Sequence, residues 1–274
     1  MSRSDPPVAH PLRDAVTVIL LRAAAPGGIE VLLLERHGDS PFAPGALVFP
    51  GGKIDPEDGR LDPARWRCTD LGIWRERLGA SNEETAVAML VAAVRETFEE
   101  AGVLLAVRED GRSLAEAPLP AQETATVRAA MAARDRAHDW RPWLEDEGLV
   151  LDLDALAMWS WWVTPQGLPR RYDTRFLVAA MPAGQDAAPD GVELTAMRWV
   201  RPEDALAAHG RAEARVMYPT RCTLEQLSAH TDPASACAAA GRGDVDLRRI
   251  EPRLRKVGDE PMVEHPDGGD AVPG

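Results

Sequence analysis

Three carboxylates lie within one turn of a predicted helix near the middle of the chain. They are Glu96, Glu99 and Glu100, in the segment RETFEEAG, and residues spaced i, i+3 and i+4 share one face of a helix. Each like-charged pair costs roughly 0.2–0.5 kcal/mol, and an anion near a helix C-terminus costs about 0.3–1 kcal/mol more. A bound Mg²⁺ or Mn²⁺ would offset both costs, because these ions prefer carboxylate ligands. The alternative is a solvated acidic face.

The helix that carries these carboxylates has recognisable ends. Ser81 and Asn82 precede two glutamates, which is typical of a helix start, and Gly102 predicts a stop after Ala101. Apolar segments on either side predict β-strands at residues 15–21, 30–35, 46–49, 103–107, 156–164, 171–181 and 193–200. Further helices are predicted over residues 120–147 and from residue 202.

A loop rich in Gly and Pro ends in Phe49-Pro50-Gly51-Gly52-Lys53. Two glycines allow the main chain to approach a ligand closely, although a plain turn is the alternative. Together with RETFEEAG, this segment resembles the Nudix hydrolases, whose motif is G-x5-E-x7-R-E-U-x-E-E-x-G-U, with U a bulky apolar residue. The positions that match are Gly52, Arg95, Glu96, Thr97, Glu99, Glu100, Gly102 and Val103.

Two departures from the motif concern its first half. Arg95 follows Gly52 by 43 positions where the motif has 14, so roughly 29 residues are inserted. Counted back from Arg95, the first acidic position is Val87, which leaves Glu83 or Glu84 as possible substitutes. The segment at residues 55–59 (DPEDG) lacks the ligand pattern of a calcium loop and predicts a turn. In having an insertion inside the box, the sequence resembles the coenzyme A diphosphatase-like branch of the Nudix proteins.

The resemblance implies a single α/β domain with the Nudix fold, a mixed β-sheet sandwiched between α-helices. We expect this domain to span residues 14–255, with a box insertion at about 55–82 and a helical insertion at about 112–150. A flexible arm at 1–13 and a disordered acidic tail at 256–274 flank it. The tryptophans of the insertions either stack on a ligand or pin the insertions to the body of the domain, and we favour the second interpretation.

The resemblance also assigns roles to particular residues. Glu96, Glu99, Glu100, Glu193 and the carbonyl of Gly52 are the implied metal ligands. Glu99 or Glu193 would accept a proton, with Arg95 as a further catalytic residue. For Glu193 the alternative is a surface residue at a strand end. Arg36 and Arg175 could bind the diphosphate, because guanidinium groups suit phosphate oxygens, although ordinary ion pairs are the alternative for each.

These observations predict Mg²⁺- or Mn²⁺-dependent hydrolysis of a nucleoside diphosphate linked to another moiety, with coenzyme A or acyl-coenzyme A as candidate substrates. The competing hypothesis is a catalytically silent Nudix domain that binds a nucleotide or a partner as a regulator. The substitution at Val87 favours this second hypothesis. The retained RExxEE residues favour the enzyme.

Composition excludes several other classes. The net charge of −13 disfavours a nucleic-acid binder, and the sequence contains no apolar run of the ~18–20 residues that a spanning helix needs. The N-terminal residues lack the apolar core of a signal peptide, and three widely spaced cysteines form no disulfide framework. We therefore expect a cytoplasmic protein. The sequence leaves the oligomeric state open and is compatible with a homodimer.

Overall fold

A computed structural model describes residues 11–36, 45–133, 139–189, 194–257, 260–268 and 272–273. A mixed β-sheet lies between two layers of helices, which confirms the predicted fold class. The strands are β1 (Leu12–Ala23), β2 (Ile29–Arg36), β3 (Ala46–Val48), β4 (Gly51–Lys53), β5 (Trp66–Arg67), β6 (Ala106–Arg108), β7 (Leu149–Asp152), β8 (Ala157–Val163), β9 (Arg171–Ala180), β10 (Leu194–Val200), β11 (Arg215–Val216), β12 (Arg249–Ile250), β13 (Arg253–Val257), β14 (Glu260–Glu264) and β15 (Val272–Pro273). The helices are α1 (Leu71–Leu78), α2 (Glu83–Ala101), α3 (Ala121–Ala132), α4 (Arg141–Asp146), α5 (Pro202–Gly210), α6 (Tyr218–Leu227) and α7 (Pro233–Arg242).

Strand β1 is the centre of the main sheet. The strand order is β11-β3-β2-β1-β9-β8-β12, with β10 paired to β2 and β4 paired to β1. β1 and β9 run parallel, whereas β1 pairs antiparallel with both β2 and β4. The near-continuous apolar sequence of β1 follows from this position, because both faces of the strand are covered by helices.

The two faces of β1 pack into two separate cores. Val16, Val18 and Leu20 point to the layer that contains α2. Ile19 and Leu21 point to the opposite layer, which contains α6 and α7. Successive side chains of a strand alternate between faces, so this one segment contributes to both hydrophobic cores.

Helix α2 begins and ends where the sequence predicts. The side chain of Asn82 accepts a hydrogen bond from the amide of Thr85 at 2.8 Å, and Glu83 is the first helical residue. At the other end Gly102 adopts a left-handed conformation with φ of 70° and donates its N–H to the carbonyl of Phe98. A side chain at Gly102 would be strained in this conformation.

The two insertions differ from the prediction in detail. The first contains helix α1 rather than turns alone, and this helix is capped by Asp70, which accepts from the amide of Ile73 at 2.9 Å. The second contains α3 and α4 in place of one continuous helix. Trp140 and Trp143 are buried and stack on Phe98 of α2, with ring centroids 6.2 and 5.3 Å apart. These tryptophans therefore pin the insertion to the domain.

The ends of the chain differ from the expected arm and tail. Strand β1 begins at Leu12, inside the expected arm. Within the expected disordered tail, β14 pairs with β13 on one side and β15 on the other. The physical reason is apolar burial, since Val263 is buried against the second core. No helix of the described residues is both long and apolar enough to cross a membrane.

Candidate active site

The Gly-Gly segment brings main chain, sheet and α2 into close contact. Gly51 lies opposite Thr17, and Gly52 lies opposite Val16. A Cβ atom on Gly51 would be 2.3 Å from the carbonyl oxygen of Val16, and a Cβ on Gly52 would be 2.4 Å from Oε1 of Glu96. Gly51 has no room for a side chain, and a side chain at Gly52 would displace the carboxylate of Glu96. The glycines are therefore required for the Glu96 carboxylate to lie against the main chain of β4.

Glu100 is buried on the same side of the glycines. Its Oε2 accepts a hydrogen bond from the N–H of Gly51 at 2.8 Å. Burial raises the pKa of Glu100 well above its ordinary value, and repulsion from Glu96 raises this pKa further. The Gly51 N–H and the positive charge of Arg36 oppose that shift. Two carboxylates are thus held close together in a region largely removed from water.

Arg95 links the carboxylates to the loop after β4. Its Nη1 donates to Oε1 of Glu96 at 2.9 Å and makes a longer contact with Oε2 of Glu99 at 3.5 Å. Its Nη2 donates to the main-chain oxygen of Lys53 at 3.0 Å. Burial acts to lower the pKa of Arg95, but the attraction of Glu96 and Asp58 outweighs it and raises this pKa.

Asp58, in the segment that follows β4, also binds the guanidinium of Arg95. Its Oδ1 accepts from Nε of Arg95 at 2.7 Å, and its Oδ2 accepts from Nη2 at 3.0 Å. Burial raises the pKa of Asp58, and the hydrogen bonds from Arg95 oppose that shift. A two-point contact of this kind fixes the plane of the guanidinium. Asp58 therefore sets the orientation from which Arg95 contacts the glutamates.

The second insertion stabilises the end of α2. Arg128 of α3 donates from Nε to the carbonyl of Glu99 at 2.9 Å and from Nη2 to the carbonyl of Glu100 at 2.8 Å. These carbonyls lack partners within the helix, and a cation at this end also offsets the helix dipole. Arg128 thus reduces the electrostatic cost of three glutamates in the last turns of the helix.

The glutamates are held by protein partners. Within the described part of the chain, no group of three His, Cys, Asp or Glu side chains has the arrangement of a formed metal site. Glu100 faces the amide of Gly51, while Glu96 and Glu99 face Arg95. Their oxygens and the carbonyl of Gly52 are nevertheless the donor type that suits Mg²⁺ or Mn²⁺. A buried pair of like charges also fits a site that could accept a cation.

A family model for the NUDT19 Nudix domain matches residues 62–227, which is more than half of the chain. The chain belongs to this Nudix family. The match confirms the resemblance inferred from the sequence, including the branch with an insertion inside its box.

Two curated relatives support the same family. The chain is 33% identical over 239 residues to the acyl-coenzyme A diphosphatase NUDT19 of Gallus gallus, covering 71% of this chain and 62% of that protein. It is 31% identical over 206 residues to the enzyme of the same name from Homo sapiens, covering 65% of this chain and 55% of that protein. The chain therefore spans a little over half the length of these relatives.

A solved structure supports the fold. A Nudix hydrolase from Alicyclobacillus acidocaldarius superimposes with a TM-score of 0.68 at 29% sequence identity. The superposition covers 83% of this chain and 96% of that structure. The layers described above are therefore those of a Nudix hydrolase.

The Nudix box is more complete than counting back from its arginine suggests. Asp58 stands six positions after Gly52, where the motif places its first acid, and it binds Arg95. The insertion begins after this residue, so Val87 does not occupy the acidic position. Glu83 and Glu84 do not replace the acid either, because Arg95 lies eleven helical positions, about 16 Å, beyond Glu84. Counting forward from Gly52 would have identified Asp58.

The three remaining predicted site residues have different outcomes. Glu193 lies outside the described residues. Arg36 lies at the end of β2, and its positive charge acts to lower the pKa of Glu100. Arg175 is buried, and its guanidinium donates to Asp14 and to the carbonyl oxygens of Leu78 and Asp173. For Arg175, the structure thus favours the ion-pair interpretation over phosphate binding.

Proposed function

We propose that this chain is a divalent-metal-dependent hydrolase that cleaves the diphosphate of coenzyme A or an acyl-coenzyme A. The observation that carries the proposal is the burial of Glu96 and Glu100 against the Gly51–Gly52 main chain. Two relatives that share the family are named acyl-coenzyme A diphosphatases. Their name supplies the substrate class, and the buried carboxylates supply a site for the chemistry.

Glu96, Glu99, Glu100 and the carbonyl of Gly52 would hold Mg²⁺ or Mn²⁺. Such an ion, when bound, lowers the pKa of a water molecule and offsets the negative charge that develops on the phosphate oxygens. These residues fit that role because all four offer oxygen donors on adjoining segments, and because the last turns of α2 are fixed by Arg128. Glu193 remains a proposed additional ligand.

Arg95 positions the carboxylates and Glu99 accepts the proton from the attacking water. Arg95 is locked by Asp58 and the carbonyl of Lys53, so its contacts to Glu96 and Glu99 have a fixed direction. The side chain of Glu99 is 14% exposed and that of Glu96 is 9% exposed. Greater access to water favours Glu99 as the base, and Glu193 is the second candidate for this role.

Arg36 is the proposed donor to the substrate diphosphate. It lies at the end of β2, is partly exposed, and its charge reaches Glu100. A guanidinium group at this place would offset the negative charge of the substrate beside the glutamates. The anionic substrate would otherwise be repelled.

The competing hypothesis, a silent Nudix domain, has lost the observation that favoured it. That hypothesis depended on the absence of the first acid of the box at Val87. Asp58 occupies this position and binds Arg95 with two hydrogen bonds. We therefore favour the enzyme.

The decisive experiment compares Glu96→Gln with Glu83→Gln, a substitution of the same kind at the start of the same helix. We expect the wild-type protein and Glu83→Gln to convert coenzyme A into adenosine 3′,5′-bisphosphate and 4′-phosphopantetheine when Mg²⁺ or Mn²⁺ is present. Glu96→Gln should retain its fold by circular dichroism and lose this activity. Intact coenzyme A with the wild-type protein, or equal turnover by both variants, would refute the proposal.

The proposed setting is the cytoplasm. The side chains of Cys68, Cys222 and Cys237 are free thiols, which fits a reducing compartment. The proposed partner is a small nucleoside diphosphate derivative, and neither a nucleic acid nor a membrane is part of the proposal. A homodimer remains compatible with the sequence.

A further inference from the structure

The last turn of α2 has a hydrogen-bond partner for each of its four terminal carbonyl groups, at residues 98–101. A helix by itself leaves such carbonyls without partners. The first accepts from the N–H of Gly102 at 2.9 Å, and the last accepts from the N–H of Ala188, also at 2.9 Å. The two between them both accept from Arg128. The end of the box helix is therefore held at every carbonyl, whereas helix ends commonly fray.

Arg128 joins this helix end to a second segment of the chain. Its Nε donates to the carbonyl of Glu99 at 2.9 Å, and its Nη2 donates to the carbonyl of Glu100 at 2.8 Å. The same Nη2 also donates to the carbonyl of Ala188, in the segment that follows β9. Gly102 leaves room for the guanidinium, since a Cβ atom there would be 3.0 Å from Nη1. One planar group thus fixes the helix end and the neighbouring segment relative to each other.

The segment after β9 is anchored independently of Arg128. The side chain of Gln185 accepts from the N–H of Leu104 and donates to the carbonyl of the same residue, both at 2.8 Å. Together with the bond from Ala188 to Ala101, these contacts pair the segment with the chain that leaves α2. Arg128 therefore attaches the helix end to a part of the domain that is already held in place.

Helix α3 is also held in place by contacts other than those of Arg128. Val127 and Met131 are buried in the hydrophobic core that contains α2. Because this apolar packing attaches α3, the hydrogen bonds of Arg128 are not needed to attach it. What they add is a fixed position for the main chain of Glu99 and Glu100.

We propose that Arg128 is a positioning residue for the metal ligands Glu99 and Glu100. The inference rests on the proposed function, which assigns these two ligands. Functional groups of a site must be held within about 0.5 Å of their working geometry, and a shift of the last turn of α2 would move both carboxylates together. Arg95 and Gly51 contact the side chains of the glutamates, whereas Arg128 holds their main chain. The helical insertion is thereby a part of the metal site, although none of the proposed ligands lies in it.

The positive charge of Arg128 would by itself have the opposite effect on metal binding. It lies at the turn that carries Glu99 and Glu100, and like charges repel. If charge were its only effect, the loss of Arg128 would strengthen the binding of a divalent cation. Loss of position would weaken that binding instead, so the sign of the change distinguishes the two effects.

The test measures the dissociation constant of Mn²⁺ for the full chain by calorimetry, without substrate. We expect Arg128→Met to raise this constant roughly 10–100-fold, the range usual for residues that orient metal ligands. Arg128→Lys keeps the charge but lacks the planar fork, and it should raise the constant as well. The matched control is Arg108→Met, which removes an arginine that donates to the carbonyls of Ala117, Pro118 and Glu147 instead of those of α2. Both Met variants should be less stable in urea, but Arg108→Met should bind Mn²⁺ like the wild-type protein.

Two results with the Arg128 variants would overturn the inference. One is an unchanged or lower dissociation constant, and the other is an equal rise in Arg108→Met. If Arg128→Met does not fold, Arg128→Lys is compared with Arg108→Lys and the same two results apply. A wild-type protein that binds no Mn²⁺ would also overturn it, because there would be no site to position.

The hydrolysis assay is a separate result. A wild-type protein that binds Mn²⁺ with the expected dependence on Arg128, but leaves coenzyme A intact, would support the positioning role and reject the proposed reaction. Turnover of coenzyme A with an Mn²⁺ affinity that does not depend on Arg128 would support the reaction and reject the positioning role.

Discussion

Two buried arginines of this protein, Arg95 on helix α2 and Arg175 on strand β9, have different surroundings. Arg175 lies beside Val16, which in turn lies beside Gly52, so about 10 Å of sheet separates Arg175 from the glycine that contacts Glu96. Arg95 contacts the carboxylates next to that glycine. Both arginines are almost fully buried, but among the described residues only the cluster around Arg175 contains as many arginines as carboxylates.

Around Arg175 the charges are matched. Asp14 and Asp173 face Arg175, and Arg249 also binds Asp173. The ring of Trp161 lies under the guanidinium, with the Cζ of Arg175 4.4 Å from the ring centroid. Each buried charge has a partner, which is the condition under which a buried ion pair is stable. This network ties the box insertion to the sheet through the carbonyl of Leu78.

Around Arg95 the charges are not matched. Asp55, Asp58, Glu96 and Glu99 all approach this one guanidinium. Glu100 adds a further buried carboxylate. Its pKa is raised mainly by burial and to a smaller extent by repulsion from Glu96. The contrast teaches that burial of charge alone does not identify a site, and that the proposed site is distinguished by an excess of negative charge against the Gly51–Gly52 main chain.

The largest expected effect is the loss of activity when a carboxylate of the Arg95 cluster is replaced. Glu100→Gln should lower kcat about 1,000-fold, because one oxygen ligand loses its charge. The same variant should be no less stable than the wild-type protein in metal-free buffer, since the substitution removes repulsion from Glu96 and the amide oxygen can still accept from Gly51. Steady-state kinetics and urea unfolding measure these two quantities. A destabilised variant with full activity would mean that Glu100 stabilises the fold and takes no part in the reaction.

The second effect is a loss of stability, and it is expected in the cluster around Arg175. Arg175→Met should lower the free energy of unfolding by about 3 kcal/mol, because it leaves a buried carboxylate without part of its compensation. Urea unfolding measures this loss, and a lysine at the same position is the matched control that keeps the charge. If Arg175→Met instead unfolds normally but raises KM strongly, Arg175 contacts the substrate.

The third effect concerns the cation itself. Mg²⁺ or Mn²⁺ at 100 times its dissociation constant should stabilise the wild-type protein by about 2.7 kcal/mol, seen as a rise in Tm. Glu100→Gln should lose most of this increment. Asp173→Asn, although less stable overall, should keep it, because its network is already neutral. Equal increments in both variants would mean that the ion binds elsewhere.

The smallest effect concerns the start of α2. Asn82→Ala should cost about 1 kcal/mol of stability, because the amide of Thr85 loses its capping acceptor. The turnover per folded molecule should not change, since the carboxylates lie at the other end of the helix. Asn82→Asp restores an acceptor and should recover most of the stability in thermal melts.

Local patterns predicted the box helix well. Asn82 and Gly102 are residues whose chemistry acts within a few positions, so the bounds of α2 could be inferred from neighbours in the chain. Helix α1 was missed because it is only eight residues long and lies within a polar segment rich in turn residues, although Leu71, Trp74 and Leu78 have helical spacing. The strands of the tail were missed for a related reason, since Val263 is held by burial against a distant core.

The sequence by itself determined the family, the box helix and its three carboxylates, because these depend on residue types at short, fixed spacing. The tertiary structure decided which acid completes the box. Asp58 and Arg95 are separated by an insertion, and only the folding of that insertion against α2 brings their side chains together. It also separated Arg95 from Arg175, because the balance of charge around a buried group depends on residues from several strands and helices.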